Sequence, residues 1–184
     1  MKSIFLKNSK KLLLALAFLL LSTPFFAQSA FDKFEGQDDI TALIVNRKMF
    51  ELMSKVKVDA TDKEAQRYMN LIKKLDNLRV FSTASSKATI DLKLTADKYV
   101  KSVGLEELMR VNDSGKNIKI LVKSGSSDSQ IKELLMFIEG SGKTNQTVLM
   151  SLTGDFDLNE ISILTDKMKI PGGEELKKAS KNNR

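Results

Sequence analysis

The spacing of apolar positions changes several times along the chain, and each change marks an element. Ile40 to Val45 (ITALIV) is apolar and β-branched, which predicts a strand. From Lys48 to Val56 the spacing becomes helical, with Met49, Phe50, Met53 and Val56 on one side. Thr61-Asp-Lys-Glu64 reads as a capping box, in which the Thr hydroxyl takes a free backbone N–H and Glu64 reaches back. The helix it opens runs to about Leu75, with Ala65, Met69, Ile72 and Leu75 as its buried stripe. Leu78 to Ser82 is a short strand. Residues 85–104 carry two periods. Ile90, Leu92 and Leu94 alternate as in a strand, while Ala96, Tyr99, Val100 and Val103 step as in a helix. The reading adopted is a helix ending at Gly104, where glycine takes a left-handed cap; 88–95 by itself admits either state.

From Leu105 the period is two. Leu105–Val111, Asn117–Lys123, Gln130–Ile138 and Gln146–Thr153 read as strands. Their connections, Asn112–Gly115, Ser124–Asp128 and Gly140–Asn145, are rich in Gly, Asn, Asp and Ser, which favour turns. Short connections imply antiparallel neighbours. A last helix, Leu158 to about Met168, presents Leu158, Ile161, Leu164 and Met168, and Pro171-Gly-Gly173 stops it. The sum is an α+β domain: an antiparallel sheet with a C-terminal four-strand meander and helices packed on one side.

The N-terminal segment falls outside that fold. Lys2, Lys7, Lys10 and Lys11 precede the apolar run Leu12 to Leu21, and Ser22-Thr-Pro24 breaks it. A basic start, a short apolar run and the small-x-small pair Ala27 and Ser29 make a secretory signal peptide over residues 1–29, cleaved after Ser29 or one or two residues earlier, the alternative being an uncleaved anchor. The run is shorter than the roughly 20 apolar residues of a spanning helix. No later stretch is long and apolar enough to span, so the mature chain has no transmembrane segment. The expected organisation is a signal peptide at 1–29, a single domain at 30–170 and a polar, flexible tail at 171–184.

Export changes the charge reading. The chain holds 30 Lys+Arg and 23 Asp+Glu, but residues 1–29 contribute four Lys and no acid, so the mature charge is 26 − 23 = +3 rather than +7. That is too little to argue for nucleic acid, which needs a concentrated basic face. No Cys is present, which excludes disulfides and a lipid-modified N-terminal Cys, so the expected product is soluble in the periplasm or outside the cell and is not a lipoprotein. No His is present, so the commonest general base and the Ser–His and Cys–His nucleophile systems are missing. Without His or Cys, ordinary zinc, copper and haem sites are missing too. The seven Met of the mature part read as gap-filling core residues.

Three sets of residues suggest chemistry, and each also has a purely structural reading. Gly140-Ser-Gly-Lys-Thr144 ends like a phosphate loop, but the first glycine of G-x-x-x-x-G-K-[ST] falls on Phe137, and a strand pattern follows Thr144 instead of a helix. It reads as a turn with Lys143 at its wet tip. Asp155, Asp157 and Asn159, with Asp166 at the twelfth position, match calcium-hand spacings, but Glu160 stands at the sharp-turn glycine. The preferred reading makes Asp157 the N-cap and Glu160 the third residue of the last helix. Glu106, Glu107 and Glu133 could form a carboxylate pair for glycoside hydrolysis, but charges on strands usually face solvent, as Lys119, Lys123 and Lys132 are also expected to do. No catalytic, cofactor-binding or metal-ligating residue is assigned.

Glu107-Leu-Met-Arg-Val111, Glu133-Leu-Leu-Met136 and Thr153-Gly-Asp-Phe-Asp-Leu158 follow one another at meander spacing, with Leu78-Arg-Val80 upstream. In these words the chain resembles the small exported Bacteroidetes-type family filed as domain of unknown function 4252, over roughly residues 30–170. Some relatives resemble lipoproteins, and the lack of Cys departs from that. The resemblance implies no activity, cofactor or catalytic residue. The leading expectation is a non-enzymatic exported domain that binds an unknown protein partner in the cell envelope, in homeostasis or signalling. The second is a carrier of an apolar or lipid-like ligand held between sheet and helices, motivated by the consecutive apolar run Leu134 to Ile138, which serves both faces of a strand. The third, a carboxylate-based hydrolase, ranks last.

Overall fold

The computed structural model describes residues 30–113, 115–127, 129–141, 146–157 and 160–168. The chain divides after Lys33 into two compact units. The described residues of the first, 30–33, are a turn followed by the start of a 3-10 helix, Asp32–Phe34. The second unit carries the elements β1 (Thr41–Asn46), α1 (Arg47–Met53), α2 (Lys63–Ile72), β2 (Leu75–Thr83), α3 (Ser86–Val103), β3 (Glu106–Asp113), β4 (Lys116–Ser124), β5 (Gln130–Ser141), β6 (Gln146–Asp157) and α4 (Ile161–Met168). The expected signal peptide, the 171–184 tail, Gly142 to Asn145, Leu158 and Asn159 lie outside the described residues.

All six strands form one antiparallel sheet in the order β1-β2-β6-β5-β4-β3. The α+β class and the C-terminal meander β3-β4-β5-β6 are as the sequence predicts. The placement of the helices is not. Alternate residues of a strand face opposite sides, and both sides are covered. Val80, Ile120, Leu134, Met136, Met150 and Leu152 form one continuous core with Phe50 of α1, Leu71 and Ile72 of α2, and Ile161 and Leu164 of α4. The opposite face meets α3, through buried Ala88, Leu92, Ala96 and Tyr99. The physical reason lies in β5, where Leu134 to Ile138 are all buried: a strand apolar on both sides needs two covers.

Element boundaries shift for local reasons. The first helix spans Arg47–Met53 instead of 48–56, capped by Asn46, whose side chain accepts from the Met49 N–H. Phe50 faces inward, but Met49 and Val56 do not, and Met49 is not a core methionine. The cap of α2 is Asp62, which accepts from the Ala65 N–H, while Thr61 donates its hydroxyl to Asp59. Leu75 does not end α2; the chain leaves the helix after Ile72, and Leu75 opens β2. Residues 88–95 are helical throughout, with Leu92 inward and Ile90 and Leu94 exposed. Ser85 caps α3 at its start, and Gly104 closes it at φ 68°, donating its N–H to Val100.

Gly154 marks a close approach. It pairs with Leu75 where the β2–β6 register shifts, and a Cβ there would lie 2.4 Å from the Lys74 carbonyl oxygen. That oxygen accepts from the Asp155 N–H at 2.8 Å. Gly154 to Asp157, beyond the strand end expected at Thr153, therefore belong to β6.

Candidate functional site

α3 is pinned along the second face at three points. Thr89 Oγ1 meets Thr147 Oγ1 of β6 at 2.9 Å, Lys93 Nζ donates to Glu139 of β5 at 2.7 Å, and Tyr99 donates its hydroxyl to Glu133 of β5 at 2.7 Å. Over β2 the same face is covered by chain preceding β1. Phe34 packs edge-on against Phe81 with centroids 5.9 Å apart, and Thr83 donates to the Asp39 carbonyl at 2.6 Å. Between these covers the face is more polar than the other. Thr83, Glu133, Thr147 and Ser151 are all buried on it.

Glu133 is the outstanding group. It is 5% exposed, against the expectation that strand carboxylates face solvent. The physical reason is its place in the row Glu133, Leu135, Phe137, in which both neighbours lie under α3. Burial pushes its carboxyl above the ordinary glutamate range, opposed by the Tyr99 hydrogen bond and the Lys123 charge. Tyr99 is pushed well up, first by burial and then by the neighbouring carboxylate, so it stays a donor.

The other carboxylates weighed from sequence do not join it. Glu106 and Glu107 are exposed on β3, two strands away from β5. That spacing and their offset along the strands put Glu107 and Glu133 on the order of 12 Å apart at the backbone. Glu107 is also engaged by Arg110, which donates from Nε at 3.0 Å and Nη2 at 2.5 Å and holds the carboxyl below its ordinary range.

The calcium-like residues are placed as strand. Asp155 and Asp157 belong to β6. Asp155 is exposed and bonded to Lys132 Nζ at 2.8 Å and to the Gln130 amide. Glu160 accepts from the Asp157 N–H at 3.1 Å, which is the reaching-back half of a capping box. Gly142, Lys143 and Thr144 lie outside the described residues; Ser141 and Gln146 on either side of them are paired, and β6 follows where a phosphate loop needs a helix. Among the described residues no group of His, Cys, Asp and Glu is arranged to hold a metal ion.

Among the described residues, a cleft and a strand edge stand out as lacking an internal use. One is a cleft of about 360 Å³ where α3 stops short of β3 and β4; sequence reasoning left Lys119 in solvent, but it is half-buried and lines this cleft. The other is the β1 edge. β1 (TALIVN) carries no charge, no proline and no break in its register with β2. Leu43 and Ile44, on opposite faces, are 43% and 39% exposed. Met49 and Leu52 of α1, and Val56 just past it, are 51%, 52% and 59% exposed. The β3 edge differs: Glu106, Glu107 and Arg110 line it, and its register shifts between Glu107 and Met109. Charges and bulges are the usual defence of an edge strand.

A family model described as Domain of unknown function (DUF4252) matches residues 34–164, and the chain belongs to this family. No curated protein and no solved structure matches the chain. Among the described residues no helix is long and apolar enough to cross a membrane.

Proposed function

We propose, with membership of this family as the premise, that the protein is a non-enzymatic binding domain of the cell envelope, exported by its 1–29 segment. Its partner is another protein that adds an extended segment beside β1. The undefended β1 edge carries this reading. An unpaired strand offers a row of backbone donors and acceptors that an incoming strand satisfies. Leu43 and Ile44 give such a strand an apolar contact on each face, and Met49, Leu52 and Val56 extend the apolar surface beside it. The family brings no activity to set against this, and the chain has no His or Cys for the commonest nucleophile systems.

The test is site-specific crosslinking in the envelope, with a photo-reactive residue in place of Leu43. A discrete protein adduct is expected. Ile44→Lys, at an exposed position, should change stability by less than about 1 kcal/mol and abolish the adduct by charging the edge. Recovery of the same adduct at full yield from Ile44→Lys, or none from the unaltered edge, would overturn the reading.

A further inference from the structure

The sheet is wider than the single helix on its second face. α3 rests over β5 and β6, and the step from its flank down to β4 and β3 forms the cleft. About 360 Å³ is within the range of small-molecule sites. Leu121, Leu135 and Phe137 floor it, and Ala96 and Val100 form its helical wall.

The lining holds three cations (Lys93, Arg110, Lys119) and three acids (Asp97, Glu107, Glu139), so it is neutral overall, but the pairing among them leaves one floor cation out. Lys93 is closed on Glu139 at 2.7 Å, and Arg110 is held by both oxygens of Glu107. Lys119 stands directly opposite Arg110 in the β3–β4 ladder and directly opposite Phe137 in the β4–β5 ladder. Like charges facing each other across strands are unfavourable. Glu107 feels both cations but forms its hydrogen bonds with Arg110. The Lys119 ammonium forms no hydrogen bond or ion pair among the described residues. Arg110, Lys119 and Glu107 thus sum to one positive charge, held beside an apolar floor. Asp97 is the remaining acid of the lining and sits on the exposed shoulder of α3.

We propose that this cleft binds a monomeric anionic amphiphile, a single-chain carboxylate whose head pairs with Lys119 and whose chain lies between Leu121 and Phe137 of the floor and Val100 of the wall. The arrangement favours an anion over a neutral or cationic head, because the one unmatched charge at the floor is positive. It favours a free molecule over a bilayer surface, because the apolar atoms are recessed between α3 and the strands instead of projecting.

Calorimetric titration of the purified full chain with decanoate, decanol and decylamine tests this. Decanoate should bind as a single molecule per chain with a negative heat-capacity change, the mark of apolar burial. It should bind at least roughly tenfold more tightly than decanol or decylamine, the worth of one charge-assisted contact. Lys119→Gln should lose that preference and leave decanol binding unchanged. Val100→Glu, at a half-buried wall position, should abolish decanoate binding while the melting transition persists; Asp97→Asn should leave it intact or tighter. Decanoate binding that is absent, insensitive to Lys119→Gln, or matched by decylamine would overturn the proposal. So would Lys119-dependent sedimentation with phosphatidylglycerol vesicles in the absence of decanoate binding, which would identify a membrane surface instead. Ile44→Lys should bind decanoate as the unaltered chain does, so failure here and failure of strand docking at β1 are separable.

Discussion

Leu134 and Leu135 stand side by side on β5, both fully buried, one under three helices and the other under one. Leu134 belongs to a core assembled from every strand of the sheet's centre and from α1, α2 and α4. Leu135 also floors the cleft beside α3, in a layer that includes Glu133, Ser151 and Thr147. The three-helix face is built for stability, since close-packed apolar layers leave no polar group to satisfy. The single-helix face bonds Thr83, Thr147 and Glu133, leaves Asn77 Oδ1 and Thr153 Oγ1 without a partner among the described residues, and is incompletely covered beside α3. One sheet therefore carries a closed apolar core on one side and a more polar, incompletely covered layer on the other.

The most direct attempt to break that division is truncation of each leucine. Leu134→Ala should cost about 4 kcal/mol and Leu135→Ala about 2 kcal/mol by chemical denaturation, because a site beside an open cleft collapses or hydrates more easily than one enclosed on all sides. Equal losses would mean that both faces are closed cores. A smaller effect concerns the polar pair. Tyr99→Phe removes the hydroxyl donor from a buried carboxyl and should cost about 2 kcal/mol at neutral pH. The pH dependence gives the sign. Glu133 has its pKa raised on folding, so its contribution is fully present below the ordinary glutamate value and is lost as pH rises through the raised value. The melting temperature should fall across that window, Glu133→Gln should flatten the fall, and Tyr99→Phe should steepen it. The smallest effect is at the end of α3. Gly104→Ala meets no atom within 4 Å, so its cost is that of a left-handed φ, about 1 kcal/mol. Hydrogen exchange should then quicken in α3 but not in α2, whose C-cap is right-handed.

The sequence shows more of one face than of the other. The meander is legible because period-two apolar runs alternate with Gly, Asn, Asp and Ser connections, and short connections leave antiparallel pairing as the simple choice. The cover on both sides of β5 was implied by five consecutive apolar residues, yet the helix that supplies it was obscured by Ile90 and Leu94, which are apolar, exposed and strand-like in spacing. Leu75 continued the helical stripe by one more turn, and only its pairing with β6 shows it to be strand. Glu133 was legible only by following Leu135 and Phe137 two residues back, and the bulge between Ile131 and Glu133 hides which face the row takes. The cleft had no sequence signal, since it arises from the width of the sheet relative to one helix. Lys119 looks like any solvated strand lysine until β3 places Arg110 opposite it.

The position of β6 has a consequence for the order in which the molecule assembles. It is the last described strand, yet it lies inside the sheet, between β2 and β5. Its ladder with β5 closes a short loop, whereas its ladder with β2 joins Thr83 to Thr147 and Leu75 to Gly154, far apart in sequence. Long closures are entropically dearer and slower. The meander can therefore form early, while β1, β2 and the helices beside them wait for β6 to join the two parts of the sheet. Gly154, fitted against the Lys74 carbonyl at one end of that ladder, then acts at the closing step of folding, so crowding this contact should slow the folding rate as well as lower the final stability.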